Sequence, residues 1–220
     1  MAAIKKQKIR HLLQEIIDIY SPSGKEEEVL DFVCAYLAKE HLPVIRQEVD
    51  ESRYNIVVVP PDADPQLVLL GHLDTVTASD LDHYGFVRKG NTVSGLGSAD
   101  MKGGCAAMIE AYIAAWHETG KATPAALALV EGEEETGDGA AAFVKDYHFP
   151  WAIIGEPTEL NPCLSHYGYL EVQVSSRGKR RHASLADKEL IPVDALLRFL
   201  LDLSTYFEER YPKIIYNTRD

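Results

Sequence analysis

Three short, almost wholly apolar runs constrain this chain more than any other feature: Leu67 to Leu70, Ala125 to Val130 and Trp151 to Ile154. Each reads as a buried strand. Runs without polar alternation fit strands covered on both faces, the situation inside a parallel sheet. Each run is closely followed by groups with chemistry in them. These are Gly71-His72-Leu73-Asp74-Thr75-Val76, then Glu133-Glu134-Glu135-Thr136-Gly137, then Gly155-Glu156-Pro157-Thr158. A fourth segment, Gly97-Ser98-Ala99-Asp100-Met101-Lys102-Gly103-Gly104, opens an Ala-rich stretch. In open α/β sheets the ligand crevice lies just beyond the carboxyl ends of the strands. Segments far apart in sequence are thereby expected to deliver carboxylates and an imidazole to one sheet edge.

The rest of the pattern supplies the layers. Ile9, Leu12, Leu13, Ile16 and Ile17 mark a helical stripe ended by Ser21-Pro22-Ser23-Gly24. A second stripe, Val29, Leu30, Val33, Tyr36 and Leu37, opens with Glu26, Glu27 and Glu28, where the helix dipole favours negative charge. Strands are expected over 44–49 and 55–59, and helices over 101–116 and 140–147. This order implies a layered α/β domain over 1–163. From 164 the character changes. Residues 170–175 alternate as a half-exposed strand would, residues 192–207 form an amphipathic helix with Val193, Leu196, Leu197, Leu200, Leu201 and Leu203 inward, and a further strand begins at 213–216. Residues 164–220 hold too little to close on themselves.

Composition narrows the partners. The chain has 220 residues, and its 34 acidic against 22 basic side chains give a net charge of −12. That disfavours nucleic acid or an anionic membrane surface as a partner. No apolar run approaches the roughly 18 residues of a membrane span, and the N-terminus lacks an apolar signal core. Cys34, Cys105 and Cys163 form no CxxC pair. They suggest small buried thiols in a reducing, cytoplasmic setting.

Taken singly, each candidate has a plain structural reading. His72 can be a satisfied core histidine, Asp100 a helix N-cap, Glu131 to Glu135 a solvated face and Glu156 a turn residue. Taken together they fit a two-metal centre. His72 offers a ring nitrogen, Asp100 two oxygens able to bridge two cations, and Glu135 and Glu156 one further ligand for each. That donor set suits Zn²⁺, with Co²⁺ or Mn²⁺ as alternatives. Two cations about 3.5–4 Å apart acidify a shared water and clamp a tetrahedral intermediate. Asp74 is spaced to orient His72 through its second nitrogen. Glu134 projects to a different side from Glu135 and is free to accept a proton. Carboxylates next to a buried strand are expensive without a cation.

These four motifs resemble the co-catalytic zinc deacylases and exopeptidases that include acetylornithine deacetylase, succinyl-diaminopimelate desuccinylase, aminoacylase and glutamate carboxypeptidase. The resemblance spans about residues 4–220. The run from Gly95 to Gly103, and Ile153 to Thr158 followed by Pro162, His166 and Gly168, are most similar to acetylornithine deacetylases. It implies a layered α/β/α zinc-exopeptidase-like catalytic domain and the start of a smaller α+β lid domain that dimerises. It implies His72, Asp100, Glu135 and Glu156 as zinc ligands, Asp74 as orienting partner and Glu134 as general base. It also implies a cis peptide bond after Asp100, and a lid histidine, His182, preceded here by Arg180 and Arg181 where the family carries small residues. The implied reaction is hydrolysis of an N-acyl, most simply N-acetyl, amino acid by a homodimer. A dipeptidase or carboxypeptidase of the same family, and a non-catalytic metal-binding or interaction fragment, are the alternatives. The family's last metal-ligating histidine and its substrate-binding arginine fall beyond Asp220. The chain is therefore expected to be part of a longer protein, an artificially bounded piece or a degenerate copy, and to bind at most one cation tightly.

Overall fold

A computed structural model describes residues 6–165, 168, 172–178 and 191–211. The chain divides into two units, Met1–Cys163 and Leu164–Asp220. The first opens with helices α1 (Lys6–Asp18) and α2 (Glu27–Lys39), then strands β1 (Val44–Glu48), β2 (Tyr54–Val58) and β3 (Leu67–His72). A small hairpin, β4 (Val87–Lys89) and β5 (Thr92–Ser94), precedes α3 (Lys102–Thr119). The unit continues with β6 (Ala125–Val130), α4 (Asp138–Asp146) and β7 (Trp151–Ile154).

Five strands form one mixed sheet in the order β1-β2-β6-β3-β7. β6, β3 and β7 run parallel, as their apolar runs predict, while β1 and β2 are antiparallel additions. The period-2 alternation of strand side chains divides the core. On one face Ile56, Val58, Leu127 and Leu129 pack with Leu12, Ile16, Leu30 and Leu37 of α1 and α2 and with Ile109 of α3. On the other face Val57, Val68, Ala126, Ala128 and Val130 pack with Phe143 of α4. Helices on both faces of the sheet make this unit an α/β/α sandwich. All four residues of the edge strand β7 are exposed, and Trp151 is 72% accessible.

Three expectations need correction. Cys34 and Cys105 are buried, but Cys163 is exposed, because it lies beyond the last strand of the sheet. Of the half-exposed strand expected over 170–175, residues 172–175 have no regular structure, and 170 and 171 lie outside the described residues. In the second unit, α5 (Pro192–Arg210) covers and extends the expected helix, with proline in its first turn where a missing N–H costs nothing. Its apolar stripe is not inward, however. No residue of α5 is buried, and Val193, Leu197, Leu200, Leu201 and Leu203 are exposed. Amphipathic spacing fixes which side chains share a stripe and says nothing of what covers it. The expected strand at 213–216 lies outside the described residues.

Candidate metal centre

The parallel register decides what meets at the sheet edge. His72, the last residue of β3, pairs with Val130, the last of β6, and Leu70 pairs with Ile154, the last of β7. The segments leaving all three strands emerge side by side. Beside them runs 21–23: the Ser21 carbonyl accepts from the Thr75 amide at 3.0 Å, and Ser21 Oγ donates to the Leu73 carbonyl at 2.8 Å. Asp100 arrives from the turn before α3, and the Asp100–Met101 peptide bond is cis, as the resemblance implied. Lys102 anchors that turn. Its buried ammonium donates to the carbonyls of Ile16 at 2.7 Å and Ile19 at 3.0 Å, at the C-terminal end of α1.

Around His72 the carboxylates converge. Its Nε2 lies 3.6 Å from Asp100 Oδ1, 3.6 Å from Glu133 Oε2 and 3.6 Å from Glu156 Oε1. The ring is 1% accessible, and Nε2 is buried with no hydrogen-bond partner. One ligand atom from each of His72, Asp100 and Glu156 lies within 4.8 Å of the others. On the other side of the ring, Nδ1 faces the Asp74 backbone carbonyl at 3.0 Å and Asp74 Oδ1 at 3.3 Å. Asp74 is itself fully buried and held: Oδ2 accepts from Ser23 Oγ at 2.7 Å and from the Glu134 amide at 3.0 Å.

The electrostatics match a site built for positive charge. Burial works against a charged imidazole, yet the Asp74 and Glu156 carboxylates outweigh it and raise His72 to about 11. Burial also pushes Asp74 upward, but its bonds with His72, Ser23 and the Glu134 amide hold it below the usual carboxylate range. Glu156 is lowered by His72, whereas Asp100 is raised by burial and by the Glu156 carboxylate beside it. Glu133 and Glu134 are both raised, first by burial and then, net of His72, by the surrounding carboxylates. A proton on His72 relieves this crowding in part; a divalent cation relieves it further. The orphaned, buried Nε2 facing three carboxylates therefore fits a cation.

The three glutamates of the acidic triplet are not equivalent in position. Glu133 and Glu134 turn toward the site, and Glu134 lines a cleft with Thr75, Gly97, Ser98 and Asp100. Glu135 is exposed and makes no hydrogen bond or ion pair among the described residues. Gly132, with a φ of +66°, turns the chain straight after β6. Glu131, read with the run as a solvated face, is instead fully buried and paired with Arg53 at 2.7 Å. His182 lies outside the described residues.

Comparison with known proteins places the chain in a family and a fold. The family model described as Peptidase family M20/M25/M40 matches residues 68–206. A probable carboxypeptidase of Aspergillus fumigatus is 31% identical over 77% of this chain and 44% of its own length. A probable succinyl-diaminopimelate desuccinylase of Staphylococcus epidermidis is 28% identical over 94% of this chain and 54% of its own. Among solved structures, aminopeptidase PepT from Bacillus cereus superposes with a TM-score of 0.55 at 20% identity, over 69% of this chain and 43% of that one. Human carnosine dipeptidase 1 gives 0.54 at 18% identity, over 67% and 38%. These two share the fold. The chain spans about half the length of the curated relatives it matches.

Proposed function

The chain belongs to the peptidase family M20/M25/M40, and from that premise we propose that it carries the cation-binding core of a hydrolase for N-acyl amino acids. The carrying observation is His72 Nε2, buried, unpartnered and 3.6 Å from three carboxylates on three different segments. His72, Asp100 and Glu156 would hold a divalent cation, and their mixed nitrogen and oxygen donors favour Zn²⁺, with Co²⁺ or Mn²⁺ as alternatives. Such a cation polarises an amide carbonyl and acidifies water.

The chain's own groups supply the rest. Asp74 holds the His72 ring so that Nε2 points into the site. Glu133, opposite Nε2, is placed to accept a proton from water and return it to the leaving amine. Glu134, on the cleft wall beside Asp100, is the carboxylate available to a second cation. These roles sit one residue earlier in the triplet than the family resemblance implies for Glu134 and Glu135. The substrate is an N-acetyl amino acid of the acetylornithine type, and the complete protein is a cytoplasmic homodimer. A carboxypeptidase activity is the second reading, favoured by the 31% identity to a probable carboxypeptidase.

Glutamine substitution at each of the three positions tests the roles, with hydrolysis of N-acetyl amino acids, N-succinyl amino acids and dipeptides measured beside zinc content. Glu133→Gln is expected to lower turnover by about 10²–10⁴-fold while zinc content stays at the level of the unsubstituted chain. Glu135→Gln is expected to be silent. A silent Glu133→Gln beside an inactive Glu135→Gln would return the roles to the register that the resemblance implies.

A further inference from the structure

Arg53, the residue just before β2, and Asn55 within it hold the two ends of the acidic loop. Arg53 and Asn55 are two apart at the start of a strand and so share one face. Arg53 Nη1 donates to Glu131 Oε2 at 2.7 Å, and Nη2 pairs with Asp138 Oδ2 at 2.5 Å. Asp50 fixes the guanidinium from behind, accepting from Nε at 2.7 Å. Asn55 makes the same bridge through the main chain. Its Oδ1 accepts from the Glu131 amide at 3.2 Å, and its Nδ2 donates to the Gly139 carbonyl at 2.8 Å. Residue 131 before the loop and residues 138 and 139 after it are thus tied to one strand. The loop ends also touch: a Cβ on Gly139 would lie 2.3 Å from the Glu131 carbonyl oxygen and 2.7 Å from Asn55 Oδ1. Between these ties lie Glu133 and Glu134.

We propose that Arg53, with Asn55, is a positioning residue that closes the 131–139 loop and so aims Glu133 and Glu134 at the cation site. Planar guanidinium suits this role because its fork can serve several carboxylates at once, which an ammonium cannot do in the same geometry. The functional part of the inference rests on the loop roles proposed above; the clasp itself does not. His72, Asp100 and Glu156 all lie outside the loop, so the clasp is separable from the first cation's ligands.

The test is amide hydrogen exchange on the 220-residue chain and its Arg53→Met variant, read beside a Zn²⁺ titration. Exchange in 132–137 is expected to rise tenfold or more, while β6 and β3 amides stay protected, since loops open below the global unfolding free energy. First-cation affinity is expected to fall by no more than about tenfold, the lower end for a group outside the ligand set, because Arg53 bonds to none of His72, Asp74, Asp100 and Glu156. Arg53→Lys, able to keep one carboxylate only, should give intermediate exchange. If Arg53→Met does not fold, Asp138→Asn removes one tie from the more exposed side and should raise loop exchange in the same direction. Unchanged loop exchange would overturn the clasp. Equal loss of protection across the sheet, or loss of the first cation, would overturn the positioning role and leave Arg53 a general stabiliser. A chain that binds no zinc even unsubstituted would refute the proposed function, while the exchange comparison would still decide the clasp.

Discussion

Replacing Asp74 by asparagine changes one atom, and the structure says what that atom does. Oδ2 takes two donors, Ser23 Oγ at 2.7 Å and the Glu134 amide at 3.0 Å, and the asparagine carbonyl can keep both. The new amide group then occupies the Oδ1 position, 3.3 Å from His72 Nδ1. A donor now faces a donor, which favours moving the ring proton to Nε2, the atom that faces the cation. The Asp74 backbone carbonyl, 3.0 Å from Nδ1, opposes that switch. Groups supporting a metal-ligating histidine are worth about 10–100-fold in metal affinity. With one of two acceptors left, the expected loss lies at the lower end, about tenfold or ~1.4 kcal/mol. Asp74→Ala also strands the Ser23 hydroxyl and the Glu134 amide, and should lie near the upper end, about 100-fold. Competition against a chelator of known zinc affinity measures both. Asparagine within threefold of the parent, or alanine no worse than asparagine, would refute this role for Asp74 in orienting His72.

Other consequences can be measured directly. At pH 7 His72 carries a proton, since its carboxylate neighbours raise it to about 11; a cation must displace that proton, so zinc binding should release about one proton and tighten roughly tenfold per pH unit on going from pH 6 to pH 8. Calorimetry in buffers of different ionisation enthalpy counts the protons, and no release would count against His72 as ligand. Chelator treatment should lower the melting temperature, because zinc at 100 times its dissociation constant stabilises the folded state by about 2.7 kcal/mol. Ile56→Ala, a fully buried change in the core between the sheet and α1 to α3, should cost about 2–5 kcal/mol in denaturant unfolding.

How much was legible beforehand depended on the physical signal. α1 was readable because a stripe of period 3.6 suits a helix covered along one side. β6 was readable because six apolar residues in a row are too few for a buried helix and enough for a strand covered on both faces. The β4–β5 hairpin was not, since five of its six residues are exposed and none is buried. The approach of His72 and Glu156 followed from strand ends, whereas Asp100 comes from the turn before α3 and was marked only by its glycine-rich motif. The direction in which each glutamate of 133–135 is turned did not follow, because the turn at Gly132, with a φ of +66°, leaves no mark on the triplet's composition. Arg53 was invisible for another reason: its partners lie 78 and 85 positions away, and nothing local marks the pairing.

The parallel register of β6, β3 and β7 makes the centre a test of how the chain has folded. Pairing shifted by one residue would displace a ligand-bearing segment by about 3.3 Å along the strand and turn its side chains to the opposite face. Donors that lie 3.6 Å from one nitrogen would no longer share a cation. Zinc would then discriminate between correctly and wrongly paired sheets that bury similar apolar area, acting as a selector among compact states before it takes part in any reaction. Refolding yields with and without zinc would therefore report strand pairing, a property usually reached only through structure determination.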